Sequence, residues 1–85
     1  MTYKNLSQDA ELMWAEICNA NTPQMAFVDY ERAKLIFNDG ITSDYYSKLV
    51  IELDHTGLVN VSHDSNVIPI AHAKTDAFIE YQQSK

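Results

Sequence analysis

Between Tyr46 and Val61 the apolar residues change their spacing once, at a glycine, and that change restricts the possible folds more than any other feature. Tyr46, Leu49, Val50 and Leu53 recur at i, i+3, i+4 and i+7, the spacing of one helical face. Gly57 stands where a helix end favours a residue tolerant of positive φ, and apolar Leu58 follows it. Val59 and Val61 then alternate with Asn60 and Ser62, which is strand spacing. A strand over 48–53 competes, because Leu-Val-Ile favours β structure; it would make a general α+β domain and void the site assignments below. The glycine at the expected helix end favours the helix.

The flanking segments extend the pattern. Ser7 can cap a first helix, with Asp9 and Glu11 in its first turn, where the positive end of the helix dipole favours carboxylates. Ala10, Met13, Trp14, Ile17 and Cys18 share one face, and the run from Asn19 to Pro23 ends the helix. Two readings fit the next stretch. A helix could begin at Thr22-Pro23, or Met25–Val28 is a short extended piece and Asp29 caps a helix from Tyr30 to Asn38. The second puts Tyr30, Ala33, Ile36 and Phe37 on one face, with Gly40 as a left-handed stop. Thr42 or Ser43 caps the following helix. His63-Asp64-Ser65-Asn66 has turn chemistry, and Val67–Ala71 completes a hairpin. Pro69 lacks an N–H, which places its strand at a sheet edge. Thr75 caps a last helix carrying Ala77, Phe78 and Tyr81. The expected class is α+β, mainly α: three helices, a short β-hairpin and an additional C-terminal helix.

At eighty-five residues the chain is read as a single domain. With 46% apolar and 21% charged residues it has the composition of a globular protein. Burial at this size barely offsets chain entropy, so association with a partner or a second copy would help. No apolar run approaches the ~18 residues of a membrane span, and the first residues lack an apolar signal region. Cys18, the lone cysteine, forms no internal disulfide and fits a reducing compartment, so a cytoplasmic location is expected.

The formal net charge is −6. From Tyr30 to Val50 the charges cancel, Glu31, Asp39 and Asp44 against Arg32, Lys34 and Lys48. The whole excess therefore lies elsewhere, nine acidic residues against Lys4, Lys74 and Lys85.

The order of elements, and above all the segment Ile41–Val61, resembles a winged helix-turn-helix domain. It is similar to the C-terminal (gamma) winged-helix domain of the bacterial septal DNA translocase, in which an isoleucine leads the turn and a helix ends in a Gly-Val-Val-type wing strand. Phe27-Val28-Asp29-Tyr30 matches the short strand and cap before the first helix of the motif. The likeness covers about residues 10 to 71 and is tightly patterned over 41 to 61. It implies that the helix from Ser43 to His55 enters the major groove of double-stranded DNA and that residues 63 to 66 form the wing. The readers of DNA would then be Thr42, Ser43, Asp44, Tyr45, Ser47 and Lys48. Arg32 and Lys34 would anchor its backbone, and His63 and Asn66 would touch it from the wing. The function implied is a DNA-binding or transcription-regulatory module. The inferred wing, however, holds no lysine or arginine, and the helix holds Lys48 alone as its cation.

The acidic excess supports a different function. Asp9, Glu11, Glu16, Glu52, Asp54, Asp64, Asp76 and Glu80 could present a negative surface to a basic partner protein, even at a site meant for nucleic acid. Each of these residues also reads plainly as a solvated face that serves solubility. Tyr30 and Tyr46 fall on buried faces, which leaves Tyr45 as an exposed anchor. Phe78, Ile79 and Tyr81 suit either a homodimer contact or packing on their own chain. Catalysis is not expected. Cys18 lies on an apolar face, His55, His63 and His72 have no metal-ligand spacing, and no glycine-rich phosphate loop is present. No cofactor is implied.

Overall fold

The computed structural model describes residues 6–63 and 68–84. Helix α1 spans Gln8–Cys18 and starts as its sequence suggests: the Ser7 Oγ accepts from the Ala10 N–H at 3.2 Å. Its face of Ala10, Met13, Trp14, Ile17 and Cys18 is wholly buried. Both readings of the next stretch are partly realised, since a 3₁₀ turn (Pro23–Met25) precedes strand β1 (Phe27–Val28). Helix α2 (Tyr30–Ile36) is capped by Asp29, whose carboxylate accepts from the Arg32 N–H at 2.8 Å.

The end of α2 departs from expectation. The helix stops at Ile36 rather than Asn38, and the left-handed positions are Asn38 (φ 54°) and Asp39 (φ 63°), not Gly40. Asn and Asp tolerate this region because their short polar side chains bond locally. Gly40 serves another need: a Cβ there would lie 3.0 Å from the Phe37 carbonyl oxygen. The Tyr30 hydroxyl, donating to the Ile41 carbonyl at 3.1 Å, holds the connection to the next helix.

Helix α3 spans Ser43–His55, which removes the strand alternative over 48–53. Thr42 is its cap, accepting from the Tyr45 N–H at 3.1 Å. At its far end Gly57 (φ 78°) turns the chain, and the N–H groups of Leu58 and Gly57 donate to the carbonyls of Leu53 and Asp54 at 3.2 and 3.0 Å. That double closure satisfies two otherwise orphaned carbonyls and feeds Leu58 directly into a strand.

Strands β2 (Val59–His63) and β3 (Pro69–Ala73) form the hairpin, and β1 joins them in an antiparallel sheet of order β1-β3-β2. The expectation for Pro69 is thereby corrected: β3 is the central strand. Pro69 is tolerated there because it begins the strand and because β1 reaches only Ala71 and His72. The turn expected over 63–66 lies outside the described residues beyond His63.

The last helix, α4 (Thr75–Gln83), begins one residue earlier than expected. Lys74 occupies the cap position, with no side-chain cap bond, and Thr75 is already helical. Phe78 is buried and the Tyr81 ring meets Trp14 edge-on, 6.1 Å between centroids at 82°. Gln82 Nε2 donates to the Cys18 carbonyl, closing α4 over the end of α1.

The molecule is thus α+β and mainly helical, with four α-helices and a small three-stranded antiparallel sheet among the described residues. One core joins all its elements. Trp14, Met13, Ile17, Tyr46 and Leu53 are fully buried, each such large side chain stabilising by about 1.5–3 kcal/mol relative to exposure. The Tyr46 hydroxyl is paired as burial requires, donating towards the Pro69 carbonyl at 2.6 Å and the Val28 carbonyl at 3.2 Å. No helix among the described residues is long and apolar enough to cross a membrane.

Candidate functional site

Alternation along β2 sends Val59, Val61 and His63 to one face of the sheet and Asn60 and Ser62 to the other. On the second face the Ser62 Oγ lies 3.4 Å from His72 Nε2, and the His72 ring lies 5.8 Å from that of Phe27. The first face looks towards α3. Near α3's C-terminal end the two are closed together, with Leu53 and Val59 fully buried. Towards the hairpin tip they part, leaving an open groove of about 400 Å³. Its α3 wall is Ser47, Val50, Ile51 and Asp54, and Val61, His63 and Pro69 form the sheet side. Ile51 is 53% exposed, an apolar side chain on the outward face of an otherwise polar stripe.

The charges on and beside α3 are mostly acidic, and Asp54 is the carboxylate among the groove-lining residues. Asp44 and Asp54 are exposed on α3. Glu52 accepts the Ser7 N–H and, at 3.0 Å, the Ser7 hydroxyl. Asp9 accepts the Tyr45 hydroxyl at 2.5 Å. All three bonds come from neutral donors, so they stitch α1 and its cap to α3 without cancelling either negative charge. The Asp9 bond, then desolvation, raises the Tyr45 pKa above the ordinary phenol value, because both favour the neutral hydroxyl.

The cations expected to meet DNA have different surroundings. The Arg32 guanidinium donates to the Phe27 carbonyl at 2.9 Å and to the Glu16 carbonyl at 3.2 Å. It ties α2 to β1 and to the end of α1. Lys34 pairs with Glu31 at 3.1 Å and lies 5.1 Å from the Tyr30 ring centroid. That bond to Glu31 raises its pKa. Lys48 is exposed on α3, with neither ion pair nor hydrogen bond among the described residues.

Of the remaining expected contacts, Thr42, Ser43 and Asp44 are exposed at the start of α3, and Tyr45 is 39% exposed with its hydroxyl on Asp9. Ser47 and His63 both line the groove, so α3 and β2 bring these two together. Asn66 lies outside the described residues. The apolar part of the groove, Val50, Ile51, Val61 and Pro69, was not among the expected site residues. Its signal was Ile51, an apolar residue off the buried face of Tyr46, Leu49, Val50 and Leu53. On α4, Phe78 and Tyr81 are spent on their own chain, and Ile79 stays 44% exposed. Among the described residues no group of three His, Cys, Asp or Glu side chains could hold a metal ion.

Comparison with protein-family models, with curated proteins and with solved structures gives no match to this chain.

Proposed function

We propose that this chain is a winged-helix module that binds a partner protein, taking a basic, apolar-anchored segment into the groove between α3 and β2. The winged-helix reading is supported by the element order, by α3 running through Gly57 into a strand, and by the sheet order β1-β3-β2. The observation that carries the choice of partner is the electrostatic character of α3. Asp44, Glu52 and Asp54 lie on it and Asp9 meets its Tyr45, against Lys48 as its one lysine or arginine, while Arg32 and Lys34 are held by main-chain carbonyls and by Glu31. Phosphate neutralisation supplies most of the affinity of DNA-binding surfaces, and this face opposes it. An apolar floor with Asp54 in its wall and Asp44 exposed on the same helix instead suits a lysine or arginine side chain beside an apolar anchor.

A second reading, a DNA-binding or transcription-regulatory module, keeps one observation in its favour. The exposed hydroxyls of Thr42 and Ser43 stand at a capped helix start beside Lys48, where a recognition helix would offer them. Titration with mixed-sequence duplex DNA at low salt, followed by amide shifts, separates the two. Protein binding predicts no selective shifts. Shifts over Thr42–Lys48 that fade with salt and vanish in Lys48→Glu would transfer the assignment to DNA.

A further inference from the structure

The open edge of the sheet specifies the conformation of the segment that binds. In an antiparallel ladder each residue turns both main-chain groups to the same side, alternating along the strand. The Ala73 N–H donates to the Ala26 carbonyl, so Ala73 and Ala71 face β1. The Lys74 N–H donates to the Leu58 carbonyl, so His72 and Ile70 face β2. In β2, Asn60 and Ser62 therefore spend their main-chain groups on β3, while Val61 and His63 turn theirs outward. Among the described residues no hydrogen bond reaches those outward groups, and no strand lies beyond β2. Val59 shares this orientation but is fully buried, so the available stretch is Val61–His63.

The side chains of Val61 and His63 also line the groove. An extended chain laid along β2 would meet unpaired main-chain donors and acceptors, and every second side chain would point to the face on which the groove opens. Ile51 offers apolar contact there and Asp54 a carboxylate. A second copy of this chain is a poor occupant, because two molecules of charge −6 would meet at an acidic face. Resting on the protein-binding reading above, we infer that a segment of the partner binds as a fourth strand on β2, with an apolar residue and a lysine or arginine at successive groove-facing positions, two residues apart, to meet Ile51 and Asp54.

The test selects short displayed random peptides on the immobilised full chain, then synthesises the strongest binder. The expected peptide carries an apolar and a basic residue two positions apart, on one strand face, and slows amide exchange at Val61 and His63. N-methylation of those of its residues that face β2 weakens binding roughly tenfold or more per bond lost, and N-methylation of the intervening residues does not. Val61→Pro removes an outward N–H without removing a bond to β3, and should abolish binding. Ile51→Lys, at an exposed position outside the ladder, should weaken it even if the proline variant does not fold. A binder that leaves both amides unprotected and tolerates N-methylation in either set would overturn strand addition while sparing the protein-binding reading. Enrichment of no peptide, with duplex DNA shifting Thr42–Lys48, would overturn both. Enrichment of none without such shifts would also overturn the inference.

Discussion

The two edges of the sheet are finished in opposite ways. At β1 the edge is two residues long, and the outward carbonyl of Phe27 is taken by Arg32, which reaches on to Glu16. At β2 the edge is five residues long, and among the described residues Val61 and His63 leave their outward groups unpaired beside an exposed isoleucine. Proteins commonly protect edges by shortening, charging or covering them. Here one edge has received that protection, and the cation supplying it is one that a DNA-binding surface would have needed. The contrast separates two roles: the closed edge ties β1 to α1 and α2, and the open edge is the one to which the proposed strand addition assigns a partner.

The largest effect should come from undoing the closed edge. Arg32→Ala leaves two partly buried carbonyls without a charged donor and should cost about 2–3 kcal/mol in chemical denaturation. A stability change near zero would remove the contrast. Tyr46→Phe, which removes the buried hydroxyl donated to the Pro69 carbonyl, should cost about 1–2 kcal/mol by the same measurement. Gly57→Ala meets no atom within 4 Å, so its cost is the strain of φ 78° alone; about 1 kcal/mol is expected. At the open edge, Ile51→Lys should leave the denaturation midpoint almost unchanged, within about 0.5 kcal/mol. A large loss there would make Ile51 part of the core.

The smallest effect is a titration. The neutral Tyr45 phenol is favoured by the fold, so its contribution is complete below the ordinary phenol pKa and is lost as pH rises through the raised one. Tyrosinate absorbance, taken as the difference from a Tyr45→Phe variant, should place Tyr45 above the ordinary phenol value, and Asp9→Asn should bring it back towards that value.

Helices were the most legible part of the sequence. Apolar spacing placed the buried face of α1, and Gly57 marked the end of α3, because both signals are local. The strand carrying Pro69 was misplaced because edge rules judge a strand by its composition. What rescued it was the shortness of β1, a property of another segment. Asn38 and Asp39 took the left-handed positions expected at Gly40 because several residue types tolerate that region. The site was less legible for a related reason. Arg32 finds main-chain carbonyls, and every residue has one, so no side-chain pattern could announce its partners. The groove left one readable mark, Ile51 on a polar face, while its other wall depended on how the hairpin met α3.

The sheet order also governs how the chain comes together. Its middle strand is the last of the three to be synthesised, and Val28 waits for Ala71. A nascent chain can form α1, α2 and α3 as local turns, but until β3 has emerged neither outer strand has its neighbour. Sheet formation is therefore a late, long-range event, slowed by the loop that must close before pairing begins. A chain cut after α3 would lack the strand that joins its two ends.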